Sequence, residues 1–90
     1  MANKQRGFVD IELNSSRKLR YTLNALVEIE EKLGVTVTEL NESNLGIKSI
    51  RTFLWAGLIH EAPELTEKEV GDWVDFNNLE YVQAKIAEAF

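Results

Sequence analysis

The residues that could carry chemistry in this chain are few. His60 is its single histidine and heads His60-Glu61-Ala62-Pro63-Glu64. A zinc-protease helix needs two histidines one turn apart, so that both rings reach one ion. Here Glu64 stands where the second would be, and Pro63 breaks a helix before it. A lone His beside two acids is more often a surface helix end than a ligand or general base. Asp72 and Asp75 lie three apart, and Glu28, Glu30 and Glu31 crowd another helix. Paired carboxylates act as acid and base only where burial separates their pKa values. These acids fall on polar faces opposite apolar stripes, so solvated helix charge is the favoured reading. Ser15-Ser16 has no base beside it, and Gly34, Gly46 and Gly57 are isolated rather than joined in a phosphate-cradling loop. The absence of cysteine removes disulfides, thiol nucleophiles and Cys-based metal sites. The expectation is a chain with no catalytic, cofactor-binding or metal-binding residue, and hence not an enzyme.

Four aromatic residues are instead candidates for binding a partner. Trp55 and Trp73 suit a core position with one wet edge, and Trp is also enriched at binding hot spots. Trp55 flanks an apolar stripe that contains Leu54. Phe76 and Phe90, at segment ends, are the better candidates for partial exposure. An exposed apolar patch on so small a domain would mark a partner site.

The elements that must position these residues are legible from periodicity. Val9, Ile11 and Leu13 alternate with Asp10 and Glu12, and Leu19 and Tyr21 alternate with Lys18 and Arg20. Period two argues strands over about 7–13 and 17–21, joined through Asn14-Ser15-Ser16. A hairpin alone is marginal in water, so its apolar face needs a cover. Thr22 can cap a helix over about 23–33, with Leu23, Leu26, Val27, Ile29 and Leu33 as its apolar side and Gly34 as its left-handed stop. A connection follows, in which Thr36 and Glu39 have capping-box spacing around a short helical turn. The next helix, about 45–61, carries Ile47, Ile50, Leu54 and Leu58 and is the most apolar. Gly57 within it costs up to about 1 kcal/mol against Ala, which suggests a close approach by another element. Thr66-Glu67-Lys68-Glu69 is a capping box with Leu65 and Val70 as its hydrophobic staple, opening a helix over about 67–76. A last helix runs over about 78–90, with Leu79, Val82, Ile86 and Ala89 as its stripe. The predicted fold is α+β: one hairpin packed on about four helices, mostly helical, with residues 1–90 as one domain.

Composition narrows the function. The chain has 90 residues, 44% hydrophobic and 28% charged, with no apolar run near the roughly 20 residues that span a bilayer. No apolar run follows the basic N-terminal residues either, so no signal peptide is expected. The net charge of −5 is uneven. Residues 1–20 hold five basic and two acidic residues, a balance of +3, and residues 21–90 hold five and thirteen, a balance of −8. The acidic body would repel a phosphate backbone. A small helical nucleic-acid-binding regulator is therefore the alternative reading, with only the basic end in its favour. That end reads more simply as a solvated edge protecting the hairpin from aggregation.

Three runs, in order, carry a resemblance. Leu19-Arg20-Tyr21-Thr22-Leu23-Asn24-Ala25-Leu26-Val27-Glu28-Ile29-Glu30 passes from strand to helix, Leu54-Trp55-Ala56-Gly57-Leu58 follows, and Leu65-Thr66-Glu67-Lys68-Glu69-Val70-Gly71 opens a third segment. Over about residues 17–76 the chain resembles the tail assembly chaperones of siphophages (siphoviruses) and gene transfer agents. The resemblance implies a non-catalytic bacteriophage protein of viral tail assembly. It would bind the tape measure protein, keep that long helical chain soluble and help recruit tail tube proteins. It also implies protein–protein interaction in the host bacterial cytoplasm, a tendency to form a homo-oligomer and absence from the mature virion; composition and charge, separately, point to no membrane partner and disfavour a nucleic-acid partner. Many such chaperones exist as a short form and a frameshifted long form, and this chain would match the short form or a domain of the long one.

Overall fold

A computed structural model describes residues 8–34, 36 and 46–90. Strands β1 (Val9–Glu12) and β2 (Ser16–Leu19) pair antiparallel, with Val9 opposite Leu19 and Ile11 opposite Arg17. Helices α1 (Leu23–Leu33), α2 (Ile47–Leu58), α3 (Glu67–Gly71) and α4 (Leu79–Ala89) follow. The architecture is the α+β hairpin with four helices that the periodicity predicts.

The alternation sets which hairpin face is buried. Val9, Ile11 and Leu19 point into the core, while Asp10 and Lys18 form an exposed cross-strand ion pair on the outer face. Both strands are shorter than expected. Residues 13–15 bend. Past Leu19, the Arg20 N–H donates to the Gly57 carbonyl at 2.9 Å, drawing the chain off the sheet towards α2. Gly7 lies outside the described residues. Each strand has a side-chain clamp, one from α4 and one from the turn after α2. The Glu12 N–H donates to the Tyr81 hydroxyl of α4 at 2.8 Å, and His60 Nε2 lies 2.8 Å from the Lys18 carbonyl oxygen. These contacts use polar backbone groups that a bare hairpin would leave open.

Local chemistry fixes the helix ends. Thr22 Oγ1 accepts from the Ala25 N–H, and Gly34 closes α1 at φ 73°. The α1 bounds match the reading from sequence. Its orientation differs: Ala25 and Ile29 are buried, whereas Leu23 and Val27, read as part of the apolar side, face outwards. The capping box predicted at the start of α3 is complete, with Thr66 Oγ1 accepting from the Glu69 N–H and the Glu69 carboxylate accepting from the Thr66 N–H.

α2 is the central element. Every residue from Thr52 to Leu58 is buried, so other elements cover that half of the helix on all sides, while Ile47, Lys48 and Arg51 before it are exposed. A β-carbon at Gly57 would stand 2.8 Å from Leu19 Cδ2 and 3.0 Å from the Tyr21 ring. The glycine is the place where the hairpin crosses the helix. α2 stops at Leu58 rather than near 61, because the chain turns through residues 59–61 and Ala62 N–H bonds the Leu58 carbonyl. Leu45 and the Thr36–Glu39 capping box are expectations that lie wholly or partly outside the described residues.

α3 ends at Gly71, not near Phe76. Beyond it the side chains of Asp75 and Asn78 take over the backbone. Asp75 accepts from the Asn77 N–H, and the Asn78 carbonyl oxygen accepts from the Asp75 N–H while its amide donates to the Trp73 carbonyl. Such local bonds compete with helix continuation. α4 then follows with Asn78 as its N-cap and runs Leu79–Ala89, one residue inside the expected 78–90 at each end.

Candidate functional site

Several of the residues that could do chemistry make structural contacts. The exposed His60 sits between the Lys18 carbonyl and the edge of Phe8, whose ring centroid is 5.8 Å away. Glu61 faces Arg17 at 3.9 Å, and Glu64 is exposed. Asp72 is exposed, and Asp75 is engaged in the turn before α4. Glu28 and Glu30 are half-buried and Glu31 is exposed on α1. Among the described residues, no group of three His, Cys, Asp or Glu is placed to hold a metal ion. The strongest perturbation belongs to Tyr21. Burial pushes its phenol well above the usual range, and its hydroxyl donates to the Phe53 carbonyl inside α2. This hydrogen bond ties the segment after β2 to α2.

The basic end of the chain is also engaged where it is described. Arg17 shares a face with Ile11 and Leu19, so its side chain lies on the core side at the rim. Its guanidinium stacks 4.7 Å from the Trp73 ring centroid, and its Nε donates to Asn14. Lys18 pairs with Asp10, whose carboxyl is held below the usual range by that hydrogen bond and charge. Arg20 lies over Phe8 at 4.8 Å. The solvated-edge reading therefore fits Lys18 but not Arg17. Strand parity with Leu19 was the signal for Arg17 in the sequence.

The four candidate aromatics separate. Trp55 is buried, and its indole N–H donates to the Leu65 carbonyl at 2.9 Å, tying α2 to the approach of α3. Trp73 is half-buried beneath Arg17. Phe90 is 52% exposed, with one side packed edge-on against Tyr21 and Phe53 at 5.5 and 5.0 Å. Phe76 is 91% exposed. The structure thus gathers Phe90, Tyr21 and Phe53 into one cluster and leaves Phe76 apart from it.

Sequence reasoning missed the other open apolar surface. Leu23 and Val27 stand one turn apart on the outer face of α1. Ile47, 66% exposed, marks the mouth of a groove of about 420 Å³ between α2 and α3. Ile50 and Leu54 of α2 and Val74 after α3 continue its apolar lining. Arg51, Lys68 and Asp72 supply its charged groups. Gly71 lets Arg51 lie across the helix pair, since a β-carbon there would stand 2.9 Å from Arg51 Cδ. The groove thus has an apolar lining with a charged edge.

Comparison with protein-family models, curated proteins and solved structures gives no match to this chain.

Proposed function

We propose that the chain is a tail assembly chaperone of a long-tailed phage, which binds the tape measure protein and helps recruit tail tube subunits without catalysis. Its place of action is the host cytoplasm during assembly, and it does not remain in the virion. The order of the three sequence runs over about residues 17–76 supports the family. The observation that carries the binding role is the apolar surface left open around a complete core. Leu23, Ile47, Phe76 and Phe90 are each more than half exposed on a 90-residue chain. Exposed apolar area of this kind, on an acidic body that keeps the protein soluble, suits reversible holding of a helical client.

The test is co-expression with a tape measure protein from the same gene neighbourhood. The expected result is a larger soluble fraction of that protein, co-purifying with this chain. Unchanged solubility without co-purification overturns the reading. A salt-dependent shift of duplex DNA at sub-micromolar protein would favour the nucleic-acid-binding alternative instead.

A further inference from the structure

The groove between α2 and α3 combines three properties. Its lining is apolar: Ile47 is two-thirds exposed at one end, and the buried Ile50 and Leu54 close its base behind it. Ile47, Ile50 and Leu54 stand at i, i+3 and i+7, a row two turns or about 10 Å long. Its edge carries Arg51 and Lys68 against the single acid Asp72, a local excess of positive charge on a chain whose net charge is −5. Neither cation meets a carboxylate in an ion pair among the described residues. Lys48, also exposed, extends the positive edge one turn further along α2.

From this geometry we infer that the groove binds an amphipathic helix of a partner whose apolar row is flanked by Asp or Glu. The apolar row enters between α2 and α3, and the flanking carboxylates meet Arg51 and Lys68. A helix is the matching shape because the groove runs between two helices, is open at Ile47 and can take one apolar stripe of a third helix. An acidic flank is the matching charge because two exposed cations beside an apolar floor attract carboxylates and disfavour a basic helix. The inference rests on the reading of the chain as the chaperone of a helical client, and it adds where the client sits and what charge its helix carries.

The probe is a labelled 18-residue peptide with a Leu row flanked by Glu, compared with the same peptide carrying Lys at each Glu. Fluorescence anisotropy gives the affinities, and amide and methyl NMR spectra locate the binding. The Glu peptide is expected to bind at least ten-fold more tightly and to shift Ile47, Ile50, Leu54 and Val74. Lys68→Glu is expected to weaken it several-fold, and Arg51→Glu with Lys68→Glu at least ten-fold, reversing the preference between peptides. Because the Arg51 stem packs near Gly71, circular dichroism checks the fold of the double variant, and Lys68→Glu alone serves if that variant fails to fold. Equal affinity for the two peptides overturns the inference. So do shifts centred on Leu23, Val27 or Phe90, or contacts in the free protein showing the groove filled by a second copy or by residues 37–45. Co-purification of the tape measure protein with both the wild type and the double variant refutes the groove and leaves the chaperone reading standing. Failure with the wild type refutes the chaperone reading, and the peptide affinities then decide the groove on their own.

Discussion

Gly57 of α2 lies directly beneath Leu19 of β2, so close that a β-carbon on the glycine would stand 2.8 Å from Leu19 Cδ2. The hairpin reaches the central helix only because that side chain is missing. Leu19 is fully buried, and Tyr21, the other neighbour at 3.0 Å, is fixed by its bond to the Phe53 carbonyl. Gly57→Ala therefore sets overpacking of about 1–3 kcal/mol against a helix-propensity gain of at most about 1 kcal/mol. The expected outcome is a net loss of about 1–2 kcal/mol, read as a lower urea midpoint with unchanged slope. An equal or higher midpoint would show that the hairpin can lift without cost.

Tyr21 gives the fold an alkaline dependence. A free phenol ionises near 10.0, and burial pushes the folded phenol far above that. Above pH 10 the unfolded chain sheds a proton that the folded chain keeps, so rising pH favours unfolding. The stability contributed by this group is fully present below pH 10 and declines above it, by at most about 1.4 kcal/mol per pH unit. Tyr21→Phe is expected to cost about 1 kcal/mol at neutral pH through the lost hydrogen bond. It should also flatten the decline between about pH 10 and 12, because the variant has no phenol to ionise there. Urea midpoints across that range measure both effects, and parallel alkaline limbs for the two proteins would contradict the assignment.

How much of this was legible in the sequence depends on how far apart the determining residues lie. Thr22, Gly34 and the Thr66–Glu69 box act within a few residues of themselves, and the starts of α1 and α3 and the end of α1 were readable from them. The end of α3 was not. Trp73 and Val74 continue an apolar helical spacing, yet the Asp75–Asn78 bonds redirect the backbone. The outward turn of Leu23 and Val27 was also hidden. α1 has more apolar positions than one face can bury, and its inner face is the one carrying the small Ala25 and Ile29. The α2–α3 groove exists only once those helices pack, so no local pattern announces it.

Arg17 exemplifies a charge that acts through its shape. Its guanidinium lies over the half-buried Trp73 while the other contacts, Asn14 and Glu61, hold its plane. Arg17→Ala is expected to cost about 1 kcal/mol through lost stacking and stem packing. The Trp73 indole N–H resonance should move, and fluorescence should shift to the red as the ring meets water. Arg17→Lys should not restore either signal, since an ammonium cannot stack as a planar fork. Full recovery with Lys would show that charge alone matters.

Phe76 and Phe90 separate stability from binding. Phe90 packs one side on Tyr21 and Phe53, so Phe90→Ser removes edge-to-face contacts that contribute about 0.5–1.5 kcal/mol each and should lower the melting temperature. Phe76 is 91% exposed, and Phe76→Ser should change stability by no more than about 0.5 kcal/mol. Exposing a full aromatic ring without gain to the fold is best explained by use elsewhere. Phe76 lies two residues beyond Val74, which lines the α2–α3 groove. A client helix seated there and long enough to pass Val74 has Phe76 within reach as a flanking anchor. Phe76→Ser is thus expected to reduce retention of the tape measure protein several-fold at an unchanged melting temperature. Undiminished retention would remove Phe76 from the interface and confine the client to the groove itself.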